Sequence, residues 1–286
     1  MKKFVLIFCL VLNFNVKAWE NCGDAEGLAS NCEWEVSIDG VLTIRPQNID
    51  VPAIIPDYER QGVSAEDERR YLTTAPWYNQ REQITSIKVE DGIEYIGNHA
   101  FMELRWATSA SMADSVVELG EDTFTLATRL SDIRLSNNLK SLGGWNFQQT
   151  YALTNITFPE SLEEIGSEIF YSQSSIQSVA LPDGINFEKI NDDMLGLSNV
   201  STIYCSKNQE KSCVDLVTKM KQTANTPTNL SYGLYERYGN GYLSDGKFYT
   251  NLGDIGTTNN IQKRIYTIDE ANAVAGEKNR VSIKYR

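Results

Sequence analysis

Between Ile84 and Cys205 the chain repeats itself, and that repetition limits the possible folds more than any other feature. Phe101, Phe124, Phe147 and Phe170 stand 23 residues apart, and Gly97, Gly120, Gly143 and Gly166 keep the same step. Between them an apolar triplet of fixed spacing recurs: Ile84, Ile87 and Val89; Leu130, Ile133 and Leu135; Leu153, Ile156 and Phe158; Ile176, Val179 and Leu181; and the degenerate Val200, Ile203 and Cys205. Over residues 153–159 the alternation at Ile156 and Phe158 predicts a short strand with Thr157 facing out. One coil of this length cannot bury such a face alone. Coils must therefore stack, each strand hydrogen-bonding to the next and equivalent side chains lining up in columns. The four phenylalanines would form one column, and the glycine marks either a turn needing positive φ or a close approach between coils.

The pattern apolar-x-x-Ile-x-apolar-Pro-x-x-Leu-x-x-Ile-Gly-x-x-x-Phe over residues 153–170 resembles the BspA-like class of bacterial leucine-rich repeats. Residues 32–46 and 75–97 resemble the flanks of that family. A period of roughly 20–29 residues is the mark of leucine-rich repeats in general. The expected fold is a leucine-rich-repeat solenoid with a 23-residue period over residues 84–205, an N-terminal β-hairpin cap within residues 19–83, and a small α+β module over residues 206–286. Two departures matter. The second repeat has Ala107, Ala110 and Met112 in the strand triplet, which predicts a looser coil. The last full repeat is two residues longer, with Asn191 at the Gly position and Leu195 at the Phe position, which predicts that the stack ends near there.

Residues 1–18 read as a secretory signal peptide: Lys2 and Lys3, an apolar run over 4–12, and a small-residue cleavage site at Val16-Lys17-Ala18. The run is too short to span a bilayer, and no other stretch is long enough. Cys9 does not sit in a lipidation box, so export without a covalent anchor is expected. Trp34, Val36, Ile38, the Asp39-Gly40 turn, Leu42 and Ile44 predict the capping hairpin. Residues 46–75, with three prolines and the charged run at 64–70, predict an irregular insertion with one or two helical turns. Trp77 then packs on the cap.

Cys22, Cys32, Cys205 and Cys213 remain after processing. An even count in an exported chain points to disulfides, and no Cys-x-x-Cys or neighbouring His supports a metal site. Of three connectivities, the local one, Cys22 to Cys32 and Cys205 to Cys213, would staple both ends of the solenoid. Ser206 and Gln209 form a capping-box pattern opening a helix over about 207–222 that buries Val214, Val217 and Met220. Tyrosine-rich strands with turns at 239–241 and at Asp245-Gly246 follow. A second capping box, Thr267 and Glu270, and an alternating strand at Val281, Ile283 and Tyr285 close the chain.

The full sequence carries 26 basic and 38 acidic side chains. Without residues 1–18 it holds 23 basic against 38 acidic, a net −15. Residues 206–286 alone carry 12 basic and 8 acidic side chains, so the body is acidic and the tail basic. An acidic body argues against nucleic acid. No nucleophile motif, zinc motif or phosphate loop is present, so no catalytic residue, cofactor or metal is expected. The sole histidine, His99, lies at a turn. Asp192-Asp193 and the glycosylation sequons at Asn155, Asn199 and Asn229 carry little weight, the latter because the signal peptide and repeat class point to a bacterium.

What remains is the outward strand surface. One column runs Lys88, Ser111, Arg134, Thr157, Ala180 and Tyr204; its neighbour runs Ser86, Ser109, Asp132, Asn155, Ser178 and Thr202. Solenoids bind along such faces, so Lys88, Ser111, Arg134, Asn155, Thr157, Thr202 and Tyr204 are the candidate ligand-binding residues. The resemblance implies a protein or glycan partner, with adhesion to host or neighbouring cells. The alternatives are a structural envelope protein whose basic C-terminal module, including Lys263, Arg264 and residues 278–286, docks on acidic polymers or lipid headgroups, and an enzyme of unknown type. The plainest reading of the polar columns is that strand surfaces face water. Oligomeric state stays open.

Overall fold

The structure is a computed structural model and describes residues 19–257, except 26–27, 63–70, 239–240 and 246. The signal sequence, the charged run and the final helix and strand expected from sequence lie outside the described residues. Short strands β1 (Glu20–Asn21), β2 (Asp24–Ala25) and β3 (Leu28–Ala29) precede a hairpin of β4 (Cys32–Val36) and β5 (Val41–Pro46). Next come β6 (Ala53–Ile55), β7 (Arg60–Gly62) and β8 (Tyr71–Thr73). Successive coils then supply β9 (Ser86–Val89) and β10 (Ile93–Ile96), β11 (Ser109–Met112) and β12 (Glu118–Leu119), and β13 (Asp132–Arg134) and β14 (Ser141–Leu142). They continue with β15 (Glu164–Ile165), β16 (Ser178–Ala180) and β17 (Thr202–Ser206), followed by helix α1 (Glu210–Met220). The described chain closes with β18 (Ser231–Tyr238), β19 (Gly241–Ser244) and β20 (Lys247–Tyr249).

Three larger sheets result, ordered β1-β4-β5-β9-β11-β13, β15-β14-β12-β10-β6 and β16-β17-β18-β19-β20, beside the two-stranded pairs β2-β3 and β7-β8. Coil strands pair in parallel, with Ser86 opposite Ser109 and Ser109 opposite Asp132 on the first sheet, and Tyr95, Glu118, Ser141 and Glu164 in line on the second. The core lies between the sheets. Phe101, Phe124, Phe147 and Phe170 are buried there, with ring centroids 5.3, 6.2 and 6.0 Å apart down the column. Trp77 is the rung before Phe101, at 5.9 Å, and donates its indole N–H to Ala100 O at 2.8 Å. Trp34 and Tyr58 meet Trp77 edge-on, joining the hairpin and the insertion to the same spine.

A third set of inter-coil hydrogen bonds runs along the turns after each glycine. His99, Asp122, Trp145 and Glu168 have φ between 49° and 59°, and each donates its N–H to the coil after it, at 3.0 to 3.1 Å. Glu103, Leu126, Gln149 and Ser172 repeat the arrangement four residues later. The recurring glycines themselves do not have positive φ. Gly143 is small because a Cβ there would stand 2.6 Å from the Gly120 carbonyl, so close approach is the reason for the column.

Several expectations are corrected. The second coil is a regular strand, β11, with Ala107, Ala110 and Met112 buried. Residues 153–159 form no strand, although Ile156 and Phe158 are buried. Ile38 is fully exposed because it sits in the hairpin turn, where Gly40 N–H bonds to Ser37 O at 3.0 Å and Gly40 takes φ of 80°. The described part of the insertion forms strands: β6 joins the second sheet beside β10, and β7 pairs with β8. Ser206 makes no side-chain cap; a 3-10 turn over Lys207–Gln209 leads into α1, which buries Cys213 and Leu216 with Val217 and Met220 and leaves Val214 half-buried. The stack also continues past Leu195, since β18 pairs in parallel with β17.

Candidate interaction face

The pleat sends Val41, Thr43 and Arg45 of β5 outward, followed by Ser86 and Lys88, Ser109 and Ser111, and Asp132 and Arg134 on the next three strands. Parallel register sets Thr43, Lys88, Ser111 and Arg134 side by side. Around Ser111 lies an open groove of about 620 Å³ walled by Arg45, Lys88, Glu90, Arg134 and Ile49. Each cation is held by a carboxylate: Arg45 Nε to Glu33 Oε1 at 2.8 Å, Lys88 Nζ to Glu90 Oε1 at 2.7 Å, and an Arg134 nitrogen to Asp114 Oδ1 at 3.3 Å. Arg45 also stacks 3.6 Å from the centroid of the Trp19 ring. Asp114 accepts from the backbone and side-chain amides of Asn137, which with nearby Arg134 hold its carboxyl below the ordinary value. The groove thus offers fixed donors and acceptors of alternating sign around one small hydroxyl. It suits a polar ligand with both kinds of group.

Farther along, the same face is covered by the chain itself. Gly253 lies against Ile156 O and Thr157 Oγ1, so closely that a Cβ would collide with both. Asn155 Nδ2 donates to Asp254 Oδ1 at 3.0 Å, and Ser178 Oγ donates to Ile255 O at 3.1 Å. Leu252 and Ile255 are buried with Ala180, Tyr235 and Tyr249, and Tyr204 and Tyr242 pack on that cluster. Tyr235 donates to Leu181 O and Tyr242 to Glu160 Oε1, and burial pushes both phenols up.

The family described as "BspA type Leucine rich repeat region" matches residues 75–201 in six copies. These coils are BspA-type leucine-rich repeats. Among solved structures, a leucine-rich repeat protein from Eubacterium ventriosum is 23% identical with a TM-score of 0.51, the match covering 76% of this chain and 47% of that one. A leucine rich cell surface protein from Faecalibacterium prausnitzii is 16% identical with a TM-score of 0.42, over 77% of this chain and 57% of that one. The chain thus spans about half the length of the first of these relatives. No curated protein matches it.

The BspA-type repeats place the sequence-derived site residues in two groups. Lys88, Ser111 and Arg134 line the open groove. Asn155, Thr157 and Tyr204 meet the C-terminal segment, and Thr202 Oγ1 lies 3.2 Å from Ser231 Oγ on the next strand. Cys22 is bonded to Cys32 and Cys205 to Cys213. Sequence reading passed over Arg45, Glu33 and Trp19, which the hairpin brings beside the repeats. The outward phase of residues 33, 43 and 45 in the hairpin alternation was the available signal.

His99 is built into the frame. Its Nδ1 donates to Tyr58 O at 2.7 Å and its Nε2 lies 3.5 Å from Asp122 Oδ2. Burial alone would lower the imidazole's pKa, but Asp122 and the Tyr58 carbonyl outweigh it and the net shift is upward. Burial, Glu168 and Asp192 raise Asp193, while Glu168 accepts from Trp145 Nε1 and Asn225 Nδ2. Among the described residues, no group of three or more His, Cys, Asp and Glu is arranged to hold a metal ion, and no helix is long and apolar enough to cross a membrane.

Proposed function

We propose that this is an exported, non-enzymatic interaction protein that binds a protein or glycan partner in the groove between the hairpin and the first three strand-face repeats. In this reading residues 19–83 cap the stack, 84–205 form a solenoid of 23-residue period, and 206–286 form a C-terminal module. The observation that carries it is the set of three cations, Arg45, Lys88 and Arg134, each fixed by a carboxylate around the open site at Ser111. Exposed ion pairs contribute only ~0–1 kcal/mol each to stability. Their use in this reading is to hold charge in place before a polar partner arrives, which supports recognition rather than stability.

The test is binding of the mature protein to arrays of matrix proteins and glycans, beside an R45A/K88A/R134A variant. Binding by wild type and not by the variant, with matched melting, supports the groove. Equal binding by both places the site elsewhere. Adhesion to host or neighbouring cells is the biological role that this reading implies.

A further inference from the structure

We propose that the strand face over residues 155–204 is a second docking site, specific for a short peptide that turns through the pattern apolar–Gly–carboxylate–apolar–Gly, and that residues 252–256 occupy it in cis. The occupant sought in trans is a partner protein presenting such a segment. This rests on the strand face being the binding surface, but extends it to residues outside the groove.

The cis segment sits as a bound peptide sits. Its apolar contacts form a small cluster separate from the continuous core of the repeats. It does not join the strand ladder; Leu252–Asp254 is a single 3-10 turn. Asn155, Thr157, Ser178 and Ala180, which contact it from the coils, stand at positions that in earlier coils face outward, those of Ser109, Ser111, Asp132 and Arg134.

Each feature of the pattern has a contact. Leu252 and Ile255 pack with Ala180 of the face and with Tyr235 and Tyr249 of β18 and β20, Asp254 takes the Asn155 amide, and the Ile255 carbonyl takes the Ser178 hydroxyl. Gly253 is required by the Ile156 carbonyl. Gly256, at φ of 73°, is required by the Tyr204 ring. A tethered segment has a high effective concentration, so a free peptide competes poorly until the tethered copy is displaced.

Gly253→Val in the full chain displaces it. The probe is a fluorescein-labelled peptide of residues 251–257, with binding read by anisotropy and eviction read by hydrogen exchange at 252–256. Expected are at least tenfold tighter binding to the variant than to wild type, loss of that gain on adding Asn155→Leu, and a weaker complex when the peptide's Asp is Ala.

Equal binding to wild type and variant overturns the proposal, as does no binding to a folded variant whose segment exchanges freely. A variant whose segment stays protected shows fixed structure, and overturns it too. A variant that dimerises and excludes the peptide assigns the site to a second copy instead. If Gly253→Val does not fold, Asp254→Ala answers the same question. Because Arg45, Lys88 and Arg134 do not hold the segment, failure of the groove reading leaves this result independent.

Discussion

The repeat is enforced residue by residue, and different residues enforce it for different physical reasons. All four phenylalanines of the column are fully buried, and Phe124 lies between two of its own kind, so Phe124→Ala should cost about 3–5 kcal/mol, read as a lowered unfolding midpoint in denaturant. The glycines are small because backbone passes backbone. Adding a methyl at Gly143 forces two coils apart, and Gly143→Ala should cost about 1–3 kcal/mol in the same assay. The left-handed residues are the less visible part. Asp122, Leu126, Trp145 and Gln149 adopt a conformation disfavoured by ~1–2 kcal/mol each, and the N–H that each delivers to the next coil offsets it.

None of these is glycine, which is why a search for turn residues passes over them. His99 adds a pH-sensitive member. Its raised pKa means that its stabilising contribution is complete below the unfolded value, near 6.5, and fades as pH climbs through the higher folded value. As the chain's only histidine it gives one imidazole signal, so an NMR titration should show a midpoint above 6.5 that falls in Asp122→Asn.

At the scale of elements, periodicity was a good guide to which residues are buried and a poorer one to which backbone pairs. Ala107, Ala110 and Met112 looked weak for a strand, yet β11 is paired along its whole length with β9 and over residues 109–111 with β13. Residues 153–159 had the strongest strand pattern and carry none, and there Gly253 lies on the backbone of Ile156. That contact spans nearly a hundred residues and leaves no local trace in sequence.

The same distinction applies at the ends. The local cysteine pairing was one of three that the sequence left open, and it is the one formed. Of the face that α1 buries, Val217 and Met220 were readable, whereas Cys213, drawn in by its bond to Cys205, and Leu216 are buried where Val214 was expected. Replacing both cysteines by serine should remove about 2–3 kcal/mol and lower the melting temperature. Reducing agent should then shift the melting temperature of wild type more than that of the variant.

On the scale of the whole molecule, the strand face divides into an open half beside the hairpin and a half occupied by residues 252–256. The candidate column was legible as a column because outward positions follow from the pleat alone. Its division was not, because Lys88 and Thr157 occupy equivalent places in their coils and differ only in what a distant segment does. Folding places few demands on the open half, since its ion pairs are exposed. The R45A/K88A/R134A protein should therefore lose at most about 3 kcal/mol, less than Phe124→Ala, read as the smaller of the two shifts in melting temperature.

The turn-side ladder has one more consequence. Because donors and acceptors recur at one step, each coil presents its neighbours with the same interface that it receives. Excising residues 98–120 would bring Tyr95 opposite Ser141 and Ser86 opposite Asp132, with every ladder still closed. The reach of the binding surface is in that sense adjustable in whole-coil units. A lineage could lengthen or shorten it by recombination between repeats without redesigning either end.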